Sequence, residues 1–272
     1  MTLPTNLFSL LLLVLILYFS SFLATASESK ADEEYTYAEG TDNGPENWWR
    51  LNPKWKACGD GKLQSPIEII DKSVVELPQL GELKLDHKPA PSILKNRGHD
   101  IMLQWNGDAG QLEINGTYYK LIQCHWHTPS EHKLNGIKFD LELHVVHQNS
   151  KGETAVIGIW YKIGGPDPFL SKLLDDIKSI GDKDVDLGVI NPKDINFMSK
   201  KYYRYVGSLT TPPCTEGVIW TITKKVRTVS RMQLNILKGV VENGFEENAR
   251  PTQELNGRRV SLYTPEENQK HT

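Results

Sequence analysis

Five of the eight histidines of this chain fall within residues 123–149, QCHWHTPSEHKLNGIKFDLELHVVHQN. His125 and His127 are two residues apart. On a strand, that spacing points both imidazoles to one face of the sheet. Asn135-Gly136 is a hairpin-type turn signal. After it, residues 139–146 alternate again, with Glu142, His144 and Val146 on one face. If the two strands are neighbours, His144 joins His125 and His127 and three nitrogens converge. Three neutral imidazoles with an open fourth position are a way to hold a catalytic zinc. An H-x-H alone is a weak motif, and the competing reading is a pair of strand histidines on a polar face. The third histidine, beyond a turn signal, strengthens the metal reading.

These residues need a sheet to position them. From residue 92 to 162 the pattern is β, with runs at 101–105, 111–114, 118–127, 139–147 and 154–161 parted by Gly, Asn and Asp. A further strand is expected at 218–223. Two helices are predicted. Residues 168–180 carry Phe169, Leu170, Leu173, Leu174, Ile177 and Ile180 as one stripe, with Gly181 as a stop. Ser230-Arg231-Met232-Gln233 is a capping box that opens a second helix running to about Val240. With 272 residues, 39 % of them hydrophobic, and no internal repeat or dividing linker, one large, mainly β domain is expected. The net charge is −3, without a basic stripe, so no nucleic-acid partner is expected.

Residues 1–26 read as a secretory signal peptide: an aliphatic run precedes Ala24-Thr25-Ala26, although basic side chains are missing from its start. Residues 27–34 are polar, acidic and expected to be flexible, and residues 266–272 form a polar tail. No other segment is apolar enough to span a membrane. The export route is oxidising. Cys58, Cys124 and Cys214 allow three pairings, and the spacing does not choose among them. Cys124 alternates with the candidate ligands and so faces away from them. Asn115-Gly116-Thr117 is a glycosylation sequon at a turn.

The H-W-H, S-E-H and E-L-H-V-V-H runs resemble the zinc-binding region of the alpha-class carbonic anhydrases, and the N-terminal block and single-disulfide pattern look most like the plant members. Gln64-Ser65-Pro66-Ile67, Gly98-His99 and residues 207–213, GSLTTPP, match the same family in the same order. The resemblance runs from about Tyr37 to Leu262. It implies one domain, residues 35–265, with a large, twisted, mostly antiparallel central sheet and Zn2+ on His125, His127 and His144 at the bottom of a conical cleft. It further implies a zinc hydroxide that attacks carbon dioxide to give bicarbonate, with side esterase activity and sulfonamide inhibition. In the second shell it places Gln123 and Glu142. Thr210 is implied to accept a hydrogen bond from the nucleophile and to donate its own proton to Glu131, with Thr211 beside the substrate. Val146, Val156, Leu209 and Trp220 are implied to form the apolar carbon dioxide pocket, and each equally suits plain core. His99 is the implied proton shuttle, with Arg97 and Met102 where other members often carry amides. Tyr37 matches a tyrosine lining the cleft, while His132 and His147 match structural histidines. The implied disulfide is Cys58–Cys214. The family also contains members that lost their ligand histidines, so a non-catalytic binding or storage protein is the alternative. A monomer is expected, extracellular or apoplastic, or plastidial through the secretory route.

Overall fold

In β7 (Thr117–His127) and β10 (Leu141–Gln148) the alternating pattern becomes two paired antiparallel strands. A computed structural model of the chain describes residues 35–265, apart from residue 198. The expectations for residues 1–26, 27–34 and 266–272 lie outside the described residues. The first strands are β1 (Glu68–Ile69), β2 (Val75–Glu76), β3 (Lys84–His87), β4 (Ala90–Asn96), β5 (Ile101–Trp105) and β6 (Gly110–Ile114). After β7 come β8 (Lys133–Leu134) and β9 (Ile137–Lys138), and after β10 come β11 (Thr154–Ile163), β12 (Val185–Ile190), β13 (Tyr202–Ser208), β14 (Glu216–Thr223), β15 (Arg227–Val229) and β16 (Ser261–Tyr263).

Thirteen strands form one sheet, whose main path is β12-β4-β5-β7-β10-β11-β14-β13-β16-β2. Its pairs are antiparallel except β11–β14, β11–β15 and β16–β2. The expected mainly β, mostly antiparallel, single-domain architecture is the one observed. Asn135 and Gly136 do make a turn, at φ of 49° and 80°. It joins β8 to β9 in a small separate sheet with β1, however, and not β7 to β10.

The period-two pattern separates two cores. Cys124 and Trp126 of β7, Leu143 and Val145 of β10, and Ile157 and Ile159 of β11 pack in one cluster with two helices, α1 (Pro168–Ser179) and α2 (Arg231–Val240). From α1 this face takes Phe169, Leu170, Leu173 and Ile177, all buried. Burying each such side chain contributes about 1.5–3 kcal/mol relative to leaving it exposed. The opposite face carries the histidines beside Val156, Trp160, Tyr205 and Trp220. Asp167 caps α1 by accepting from the Leu170 N–H at 2.9 Å, and Ser230 and Gln233 complete the expected capping box on α2. The two helix starts are tied together. Asp167 N–H donates to Gln233 Oε1, and Gln233 Nε2 donates back to the Asp167 carbonyl, both at 2.8 Å. The stop on α1 differs from expectation: the helix ends as Ile180 turns extended (φ −66°, ψ 127°), one residue before Gly181.

Candidate metal centre

Strand pairing brings the three histidines together. His144 on β10 lies opposite His125 on β7, and Glu142 lies opposite His127. Opposed residues of an antiparallel pair are near enough for their side chains to touch. Ring centroids are 5.0 Å apart for His125–His127, 5.3 Å for His125–His144 and 4.5 Å for His127–His144. One ring nitrogen from each lies within 4.8 Å of the others.

The remaining nitrogens are all held. His125 Nδ1 is 2.8 Å from Gln123 Oε1, His127 Nδ1 donates to the Asn248 carbonyl at 2.7 Å, and His144 Nε2 is 3.0 Å from Glu142 Oε1. A carbonyl and a carboxylate only accept, so each held nitrogen carries the proton. His125 Nε2, His127 Nε2 and His144 Nδ1 are then lone pairs. His127 Nε2 is buried with no hydrogen-bond partner among the described residues. Burial also pushes His125 well below the ordinary imidazole range and lowers His144, which favours the neutral forms. A buried set of three neutral imidazole lone pairs, each fixed from behind, fits a divalent cation of the zinc type.

The Glu142 carboxylate has a second task. Its Oε2 accepts from the Glu131 and His132 backbone N–H groups, both at 2.9 Å, and its Oε1 takes His132 Nδ1 at 2.7 Å. Burial alone would raise its pKa, but the His132 ring and the hydrogen bonds from His132 and His144 outweigh that and hold it far below the usual carboxylate range. From His132 Nε2 the network continues to the Tyr205 hydroxyl at 2.6 Å and on to Ser65 Oγ at 2.8 Å. His144 is thus braced through four buried side chains.

One expected contact is not formed. Glu131 Oε2 has no hydrogen-bond partner among the described residues, so the Thr210 hydroxyl is not hydrogen-bonded to it in this structure. Arg250 N–H donates to Glu131 Oε1 at 2.9 Å and fixes the carboxylate with Oε2 facing the imidazoles, 3.6 Å from His127 Nε2 and 3.9 Å from His144 Nδ1. Thr210 itself is buried, in the loop that Leu209 N–H closes onto the Thr215 carbonyl at 2.9 Å. Thr211, beside it, is partly buried.

Val146, Val156, Leu209 and Trp220 belong to one apolar cluster, and the Trp220 ring lies 4.8 Å from that of His144. Of the four, Trp220 is the one in ring contact with a candidate ligand. His99 is buried, with its ring 6.0 Å from Tyr35 and 6.3 Å from Phe245. Tyr37 sits in the same aromatic group, 5.4 Å from Trp48, with its hydroxyl buried. Cys58 and Cys214 are bonded, with Cα atoms 5.0 Å apart, while Cys124 is free and buried. Asn115 stands exposed in the turn after β6, at φ 49°.

Two participants escape the sequence reading. Asn248 props His127 through its backbone carbonyl and accepts the Thr128 N–H on its side chain at 2.7 Å. Arg250, fully buried, donates to Gln64 Oε1 and the Ser65 carbonyl at 2.8 Å and to the Cys58 carbonyl at 2.9 Å. A backbone carbonyl leaves no trace in residue type. A single arginine in a loop gives no hint that it is buried.

Comparison with known proteins agrees with this geometry. The profile of the family described as eukaryotic-type carbonic anhydrase matches residues 43–264. Alpha carbonic anhydrase 4 of Arabidopsis thaliana is 50 % identical over 241 residues, covering 88 % of this chain and 90 % of that protein. The crystal structure of dioscorin complexed with ascorbate superposes with a TM-score of 0.84 at 41 % identity, covering 86 % of this chain and all of dioscorin (100 %). The alpha-carbonic anhydrase of Thermovibrio ammonificans, solved with the inhibitor sulfanilamide, gives a TM-score of 0.76 at 34 % identity, covering 84 % of this chain and 98 % of that one. With the family profile spanning most of its length and half of its aligned residues shared with a plant member, this chain belongs to the alpha, or eukaryotic-type, carbonic anhydrases.

Proposed function

We propose that this carbonic anhydrase hydrates carbon dioxide reversibly to bicarbonate and a proton, with zinc on His125 Nε2, His127 Nε2 and His144 Nδ1. The observation that carries the reading is the convergence of these three nitrogens while every opposite nitrogen is held. When bound there, zinc supplies hydroxide near neutral pH, because it lowers the pKa of a coordinated water to about 7.

The chain's own residues do the rest. Gln123, Glu142 and the Asn248 carbonyl keep the imidazoles neutral and aimed. The Thr210 hydroxyl orients the attacking oxygen by accepting its proton in a hydrogen bond, and the unpartnered Glu131 Oε2 is the acceptor for the proton that Thr210 then donates. Dipoles set in advance cost no reorganisation during the reaction. Val146, Val156, Leu209 and Trp220 give an apolar, small gas a dry place to wait, with Thr211 at its edge. His99 takes the product proton on its ring and passes it to buffer. A zinc-bound site of this kind would also support slow hydrolysis of activated esters. Sulfonamides inhibit, as the sulfanilamide complex of the Thermovibrio ammonificans enzyme suggests.

Stopped-flow hydration on the zinc-loaded protein tests this: sulfonamide-sensitive turnover with one zinc per chain is expected, and a rate no higher than buffer would overturn it. The likeness to dioscorin favours a second reading, a binding protein on the same fold, and that outcome would support it. His99→Ala should slow hydration in weak buffer, with imidazole restoring the rate. We further propose that residues 35–265 are the catalytic domain, and that the chain enters the secretory pathway for an extracellular, apoplastic or plastid home. The Cys58–Cys214 bond is consistent with that route. No helix among the described residues is long and apolar enough to cross a membrane. We also propose glycosylation at Asn115 and a monomeric state.

A further inference from the structure

We infer that Asp100 is a positioning residue for the proton shuttle: its buried carboxylate, clamped by Arg97, holds the His99 ring in place and favours its protonated form. The inference rests on the reading of His99 as the shuttle.

His99 sits at the tip of the tight turn between β4 and β5. Arg97 N–H donates to the Asp100 carbonyl at 2.9 Å, which leaves Gly98 and His99 as the two central residues. Gly98 takes φ +83°, the left-handed value such a turn needs, and an added Cβ would come within 2.9 Å of the Glu242 carboxylate. The tip is pinned from three sides. Gly98 N–H donates to Asn96 Oδ1 at 3.0 Å, Glu242 N–H donates to the Gly98 carbonyl at 2.9 Å, and Asn248 Nδ2 donates to the His99 carbonyl at 2.7 Å. The backbone of His99 is therefore fixed, and what is left to govern is its ring.

Asp100 is placed to govern it. The carboxylate is 1 % exposed and accepts a bidentate pair from Arg97, Nε to Oδ1 at 2.7 Å and Nη2 to Oδ2 at 2.6 Å. Its Oδ2 lies 3.9 Å from His99 Nε2. That is too long for a hydrogen bond and close enough for strong attraction to an imidazolium in a dry site. Burial alone would raise the Asp100 pKa, but Arg97 and His99 bring it far below the carboxylate range, so it stays an anion while His99 cycles. Arg97 offsets part of that charge, which keeps the proton on His99 exchangeable. The titratable groups around this turn include Tyr35 against the ring, Glu242 against Gly98, and the neutral His125 on the Asp100 side.

NMR titration of the His99 ring, in zinc-free and zinc-loaded protein, tests the coupling apart from activity. Asp100→Asn should lower the His99 midpoint by about 0.5–1 pH unit. Arg97→Gln should raise it, because the carboxylate is then less neutralised. In weak buffer, Asp100→Asn should lower kcat several-fold with a much smaller change in kcat/KM, and imidazole should restore kcat. A His99 midpoint unmoved in folded Asp100→Asn would overturn the inference. If that variant does not fold, an unmoved or lowered midpoint in Arg97→Gln does so. Failure of the shuttle reading shows separately, as a His99→Ala enzyme that is unimpaired in weak buffer.

Discussion

An imidazole with one nitrogen tied to a fixed acceptor presents its other lone pair in one direction, and this site applies that device three times. Gln123→Ala removes the prop from His125 alone. It should weaken zinc about 10–100-fold, as outer-shell losses do, in competition against a chromophoric chelator. Glu142→Ala should cost more. Beyond freeing His144, it leaves the Glu131 and His132 N–H groups and the His132 ring without their buried acceptor. Breaking such a network costs about 3–5 kcal/mol, which urea denaturation of the zinc-free protein would read. These roles were partly legible in the sequence. Two-residue spacing puts Gln123 with His125 and Glu142 with His144 on one face, and residue type suggests the rest. Asn248 was not legible, because its contribution is a carbonyl that any residue would carry. Nor was the aim of Glu131 Oε2, which depends on an Arg250 N–H distant in sequence.

The strands that carry the ligands were readable because one of their faces is core and the other is the site, so their alternation is strict. Expected runs at 101–105, 118–127 and 154–161 became β5, β7 and β11 with ends shifted by at most a few residues. Strand β10 starts at Leu141, two residues late, because Phe139 N–H is drawn off to Ser130 Oγ at 2.8 Å. Strand β13, Tyr-Tyr-Arg-Tyr-Val-Gly-Ser, was not anticipated. Its aromatics are adjacent as well as alternating, which blurs the period of two. The loop bearing Thr210 depends on an element-level tie, the bond from Cys214 to Cys58, 156 residues apart in sequence. Replacing both cysteines by serine should lower stability by about 2–5 kcal/mol in denaturant titration, with no such difference when both proteins are measured under reducing conditions.

Across the whole molecule, acid is the weakness. His87 and His147 are buried face to face on the side away from the ligands, their rings 5.2 Å apart and 13° from parallel, with Nε2 atoms 3.0 Å apart. Only one of those nitrogens can carry the shared proton. Burial pushes His87 down to about 4, with the Lys193 charge adding to it, and His147 down to about 3, with His87 adding to it. Both bind protons more readily when unfolded. Their contribution is therefore complete above an unfolded pKa of about 6.5 and is lost as pH falls towards the folded values, by up to about 1.4 kcal/mol per pH unit for each. Urea midpoints of the wild type should fall steadily from pH 6.5 to 4, and His87→Phe should flatten that slope by about one proton.

The props around the ligands also set an order of events. His127 leans on the carbonyl of Asn248, and Arg250 reaches back to Cys58, Gln64 and Ser65 while orienting Glu131. A nascent chain has made all three ligand histidines more than a hundred residues before it makes these supports. Until the ribosome has released that last stretch, His127 lacks its prop and Glu131 its orienting N–H, so a set of three aimed imidazoles is complete only after synthesis. A chain stopped short of Asn248 would be a poor customer for metal, however complete its ligand set.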